Sequence, residues 1–324
     1  MRTFVSKLGT KMDEYLNFRQ AMGRSDYHKR TLKNFDKFCF EQYPEIKIPI
    51  REVVLDWFAR ESAKNQSGIT LESKATAIRQ FARYVGEEAY VLPDKFTPVK
   101  KRLFTPYIFT DVELTLLLTT ADAFPSKFQH DPLLLKVIPV ILRLLYTCGL
   151  RPGEARMIKC KNINFSTGEV LISQTKTRKE RIIVMSNDML EMCKSYEFQR
   201  NLIVGEKEYF FTNKNGNVIN CRQIETAIKR CWIIANPETK PNMLPKIRPY
   251  DLRHQFASAV LHKWLDEGRN LYTMLPYLRT YMGHKDMSTT AYYIHILPEK
   301  LLKSSGIDWD KIDNVLPEVK IWER

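Results

Sequence analysis

Apolar side chains return every third or fourth position through the N-terminal part of the chain: Met12, Tyr15, Leu16 and Phe18 in one stretch, Leu32, Phe35, Phe38 and Cys39 in the next. That spacing predicts amphipathic helices. Two more fit Ile50 to Ala63, with Val53, Val54 and Trp57 inward, and Leu71 to Val85, with Ala75, Ile78 and Phe81 inward. The result is a module of about four helices over residues 1–92. Its polar faces carry Lys29, Arg30, Lys33, Lys74, Arg79 and Arg83, a set suited to a DNA backbone, although any single one of them reads better as a solvated charge.

The periodicity breaks between Leu92 and Leu103, where Pro93 and Pro98 precede the basic run Lys100-Lys101-Arg102. Prolines without glycine favour an extended segment, so residues 93–108 read as a basic linker between two domains. From residue 109 a second pattern starts. Thr110 followed by Glu113 has the form of a helix capping box. The apolar run from Leu133 to Leu145 contains Lys136, Pro139 and Arg143, which makes it a buried helix kinked at the proline instead of a membrane span. Gly149 closes the turn after it. The period then shortens to two over Asn162 to Phe165, Glu169 to Ser173 and Arg181 to Met185, as expected of a small antiparallel sheet. Helices are expected again over Met189 to Gln199, Arg222 to Ala235 and Leu252 to Leu265. The fold class is therefore mainly α with a small antiparallel β-sheet, the second domain covering residues 109–324.

Charge changes the picture more than composition does. The 324 residues carry a formal net charge of +14, with 44% hydrophobic and 27% charged residues. A globular chain with that excess of lysine and arginine favours a polyanion as partner, since each phosphate contact releases a condensed counterion. Cys39, Cys148, Cys160, Cys193, Cys221 and Cys231 form no CxxC pair, so reduced, mostly buried thiols are expected. The opening residues lack the apolar core of a signal peptide. A cytoplasmic protein is the expectation.

The chemistry lies in dispersed segments in a fixed order: Gly149-Leu150-Arg151-Pro152-Gly153-Glu154-Ala155, then Tyr250-Asp251-Leu252-Arg253-His254, then Gly283-His284, then Thr289-Thr290-Ala291-Tyr292-Tyr293. Planar guanidinium groups hold a phosphate through paired hydrogen bonds and do not deprotonate. A tyrosine hydroxyl is a nucleophile that keeps a phosphate covalently on the protein. Arginines, histidine and tyrosine together make a set for breaking and remaking phosphodiesters. There is no metal-ligand cluster and no phosphate-binding glycine loop.

At these residues the chain resembles the tyrosine recombinase (phage integrase) family. The resemblance implies that Arg151, in the pattern Gly-Leu-Arg-x-x-Glu, is the first catalytic arginine. It implies that Lys176, in the turn between two strands, protonates the departing 5′-oxygen, with Lys179 as rival. Arg253 would be the second arginine, in a pattern usually His-x-x-Arg, and Tyr250 here occupies the histidine position. A tyrosine there can donate to phosphate but is a poorer base than imidazole near neutrality. His254 then reads as a packing residue and Asp251 as orienting its network. His284 stands where the family has a hydrogen-bond donor to the scissile phosphate. The register Thr-Thr-x-x-Tyr selects Tyr293 over Tyr292 as the nucleophile.

The same resemblance implies a helical core-binding domain of SAM-like type and an α+β catalytic domain closing around double-stranded DNA. Cleavage would pass through a 3′-phosphotyrosine, with no cofactor and no metal. A homotetramer on synapsed sites, host or element accessory proteins and a mobile-element integrase or transposase role complete the expectation. The tail from Pro298 to Arg324 would dock on a neighbouring protomer or fold back on its own domain. Two other readings stand beside it: a type IB topoisomerase, and a DNA-binding accessory protein with an impaired site.

Overall fold

A computed structural model describes residues 4–24, 26–94, 96, 105–124, 131–173 and 180–294. Lys176, Lys179, most of the expected linker and the tail after residue 294 lie outside the described residues. The chain divides into two compact units, Met1–Phe104 and Thr105–Arg324.

The first unit consists of α1 (Gly9–Ala21), α2 (Lys29–Gln42), α3 (Arg51–Ala63) and α4 (Gly68–Val85). Their inward stripes meet in one core of Met12, Leu32, Phe35, Val53, Val54, Trp57, Ile78 and Phe81. α4 begins three residues before the apolar pattern does, because the Ser67 side chain accepts from the Thr70 amide and starts the helix earlier. Two of the basic residues read as a DNA-facing set are engaged within the fold. Arg79 is buried and donates to the carbonyls of Leu92 and Pro93, and Lys74 pairs with the buried carboxylate of Glu61. Arg30, Lys33 and Arg83 are exposed.

The second unit is built around α6 (Pro132–Thr147), apolar on nearly every side and buried at Leu133, Leu134, Val137, Ile138, Ile141, Leu142, Leu144 and Leu145. A helix apolar all round needs neighbours all round. It has them in α5 (Asp111–Asp122), α8 (Asn187–Val204), α9 (Cys221–Ala235) and α10 (Pro249–Asp266). α5 starts at the capping box read from Thr110 and Glu113. The short α7 (Pro152–Arg156) follows α6 directly, and α11 (Leu271–Met282) and α12 (Met287–Ala291) close the described part of the unit.

The sheet is smaller than the alternation predicts. β1 (Glu169–Ile172) pairs antiparallel with β2 (Arg181–Val184), Ile172 opposite Arg181. The expected strand over Asn162 to Phe165 is instead a 3-10 turn, Cys160–Asn162, followed by one isolated bridge from Ile163 to Val170. Asn164 accounts for the difference: its side chain accepts from the Ser166 and Thr167 amides and turns the backbone that would have continued the ladder. No described helix is long and apolar enough to cross a membrane. All six cysteines are free thiols, four of them buried, with Cys160 half-buried and Cys221 exposed.

Candidate active site

Two glycine turns set the positions of the two arginines. Gly149 and Gly283 both have left-handed backbones, φ 60° and 65°. The Gly149 carbonyl accepts from Arg253 Nη1 at 2.6 Å, and the Gly283 carbonyl accepts from Arg151 Nη2 at 3.0 Å. Glycine is required at the first turn for room as well as for φ, since a Cβ at Gly149 would stand 2.4 Å from the Phe256 ring. Arg253, on α10, is fully buried and also donates through Nη2 to the Met282 carbonyl at 2.7 Å.

Glu154 joins the arginines. Its Oε1 accepts from Arg151 Nη1 at 2.6 Å and its Oε2 from the Arg151 amide at 3.1 Å, while Arg253 Nη1 lies 3.9 Å away. Arg181, the first residue of β2, reaches both oxygens, Nη1 to Oε1 at 3.2 Å and Nη2 to Oε2 at 2.8 Å. Burial alone would raise the carboxyl pKa; the paired Arg181, followed by Arg151, instead brings it down to about 2. Burial works against the Arg151 charge in the same way, and Glu154 and then Tyr250 more than offset it.

His284 follows the Gly283 turn. Its Nε2 lies 2.9 Å from Arg253 Nη2 and its Nδ1 2.9 Å from Thr290 Oγ1. Burial, then the neighbouring arginines 253, 151 and 181, lowers its pKa to about 3. Tyr293 lies immediately beyond α12, 3% exposed, its ring stacked on His284 with centroids 6.0 Å apart and planes 17° apart. Burial raises the Tyr293 hydroxyl to about 12, against the pull of Arg253. Tyr292 is half-buried beside it, so the two adjacent tyrosines differ in environment as a turn of about 100° per residue requires.

Tyr250 sits on the first turn of α10, and its ring stands 5.2 Å from that of His254, which in turn stands 5.4 Å from Tyr293. His254 is buried, its Nδ1 has no hydrogen-bond partner, and burial lowers its pKa to about 4. Asp251 does not orient this row. It accepts from the Arg248 amide at 2.8 Å and from the Arg248 side chain at 3.2 Å, capping α10, because a carboxylate three residues into a helix is best placed over the free amides.

Arg151, Tyr250, Arg253, His284 and Tyr293 thus come together from four separate stretches of sequence. Glu154, Arg181 and Thr290 belong with them and had no role in the sequence reading. Glu154 is the last residue of its motif and Thr290 lies inside the nucleophile motif, but only the folded chain shows what they hold.

The sequence profile described as the phage integrase family matches residues 109–300, the whole stretch in which this cluster lies. The chain belongs to that family. As a phage integrase family member it is a tyrosine-type DNA recombinase, a DNA strand transesterase. It is 25% identical over 300 residues to the Sinorhizobium fredii protein that bears the name integrase/recombinase y4rE, covering 91% of this chain and 93% of that one. It is 24% identical over 308 residues to the tyrosine recombinase XerD of Staphylococcus epidermidis, covering 91% and 97%. Among solved structures, the Tn1549 transposon integrase in complex with transposon right end DNA aligns with a TM-score of 0.61 at 15% identity, over 92% of this chain and 98% of that chain. The XerH recombinase bound to difH substrate aligns at 0.59 and 16% identity, over 85% and 77%. At these identities the two structures share the fold.

Proposed function

We propose that this recombinase acts on double-stranded DNA at specific sites through a 3′-phosphotyrosine, and that it integrates or excises a mobile element. The placement of Tyr293 carries the reading: the tyrosine in the nucleophile register is packed on His284 and beside Arg253, the residue that most lowers the pKa of its buried hydroxyl. In the proposed step the Tyr293 Oη forms a bond to phosphorus and the bond from phosphorus to the 5′-oxygen breaks. The tyrosine proton passes to solvent, and Lys176 gives one to the 5′-oxygen. Arg151 and Arg253 neutralise the charge on the non-bridging oxygens. A second 5′-hydroxyl reverses the step, so the bond energy is conserved and no cofactor is consumed. The family's synapsed tetramer and element or host accessory proteins complete the reading. For the mobile-element role the support is the name of the Sinorhizobium relative, together with the Ala291–Glu299 ending, similar to recombinases of transposons and conjugative elements.

The test is a nicked suicide duplex bearing the element's end sequence, incubated without metal and resolved on a denaturing gel. Wild type should give a covalent protein–DNA adduct. Tyr293→Phe should bind the duplex as wild type does and give none, and Tyr292→Phe should still give it. An adduct from Tyr293→Phe would sink the nucleophile assignment. Specific binding without any wild-type adduct would support the DNA-binding accessory reading, to which Tyr250 at the usual histidine position belongs.

A further inference from the structure

The Arg151 guanidinium holds Glu154 Oε1 through Nη1 and the Gly283 carbonyl through Nη2, with the Tyr250 hydroxyl beside it. Arg181 touches both the carboxylate and the turn. Its side chain, 8% exposed, holds the two oxygens of Glu154 with its two terminal nitrogens. Its guanidinium also lies against the Gly283 turn, so closely that a Cβ at Gly283 would stand 3.0 Å from Nη1. The fork-to-carboxylate geometry belongs to Arg181, whereas the Arg151 guanidinium meets the same carboxylate through one nitrogen, its backbone amide taking the other oxygen.

We propose that Arg181 is a positioning residue for the phosphate clamp. By occupying both oxygens of Glu154 and buttressing the Gly283 turn, it keeps the Arg151 guanidinium from closing onto Glu154 and leaves its remaining N–H groups to the scissile phosphate. Without it, the buried carboxylate would have Arg151 and Arg253 as its remaining cations, and Arg151 would rotate toward the vacated oxygen. This rests on the recombinase reading above and adds to it a residue outside the motifs.

The experiment is single-turnover cleavage of the suicide duplex by wild type, Arg181→Ala, Arg181→Lys, Glu154→Gln and the double variant Arg181→Ala/Glu154→Gln. Each is assayed on the natural linkage and on one with a methylphosphonate, which carries no charge, at the scissile position. Arg181→Ala is expected to cut about 10- to 100-fold more slowly at unchanged DNA affinity. Arg181→Lys, which keeps the charge without the fork, should fall between. The Arg181→Ala loss should shrink in the Glu154→Gln background, where no carboxylate competes for Arg151, and again on the methylphosphonate. A wild-type rate for Arg181→Ala, or a loss of equal size in both backgrounds and on both linkages, overturns the proposal. If Arg181→Ala does not fold by circular dichroism, Arg181→Lys is compared in the same way, and a wild-type rate for it overturns the proposal. Failure of the recombinase reading itself shows separately, as a wild type that forms no adduct.

Discussion

Arg253 donates through Nη2 to His284 Nε2 at 2.9 Å, and this contact fixes the state of the ring. A guanidinium has no acceptor, so Nε2 must present its lone pair. The ring proton is then on Nδ1, donated to Thr290 Oγ1. With a pKa pushed down to about 3 by burial and the surrounding arginines, His284 is neutral wherever the enzyme works.

The rate of single-turnover cleavage should therefore show no imidazole inflection from about pH 5 to about pH 8, the range in which an ordinary histidine titrates. Thr290→Val, which removes the acceptor for Nδ1–H, should slow cleavage several-fold. A rate that falls through pH 6.5 in wild type and not in His284→Gln would overturn the assignment of a neutral ring.

Tyr250 stands beside Arg151 and helps to hold its charge. Tyr250→Phe removes the hydroxyl and should slow cleavage about 10-fold, the cost of one hydrogen bond to a charged group. Tyr250→His restores the residue usual at this place in the family and should cleave at least as fast as wild type near neutral pH. Both are read as single-turnover rates on the same duplex.

His254 links acid to stability. Its pKa lies at about 4 in the fold, lowered chiefly by burial, against 6.5 for the ordinary side chain. Above pH 6.5 the ring is neutral in the folded and the unfolded chain, and its contribution is complete. As the pH falls from 6.5 toward 4 the unfolded chain takes up a proton that the folded one refuses, so stability falls by roughly 3 kcal/mol. Urea melts across that window should show the loss in wild type and a flatter acid limb in His254→Gln.

Gly149→Ala is expected to cost about 3 kcal/mol, from the left-handed backbone and from the clash with Phe256. A denaturant midpoint unchanged from wild type would show that the turn relaxes freely.

The elements most legible in the sequence were those with strong periodic patterns or local caps. α3, α6 and α9 begin or end within a residue or two of the apolar stripe, and the Thr110–Glu113 box starts α5 where it was read. Asn162 to Phe165 misled because alternation does not register a side chain such as Asn164 that bonds its own backbone. Short motifs singled out Arg151, Arg253, His284 and Tyr293, which the fold brings together, because each is marked by its immediate neighbours in sequence. Arg181 enters the sequence pattern only as the first residue of an expected strand. Its partner Glu154 is 27 residues away in sequence, and no one-dimensional pattern states that pairing. Arg79 and Lys74 failed in the opposite direction, read as surface charges while their partners lay elsewhere in the chain.

Arg253 and Arg151 each rest on a carbonyl oxygen, of the turns at Gly149 and Gly283, as well as on side chains. A backbone carbonyl is present whatever residue follows or precedes it. The reactive centre is thus tied in part to chain conformation, which supplies these two carbonyls whatever side chains flank the turns. A protein built this way can exchange the surface that reads its DNA target without rebuilding the part that breaks the strand.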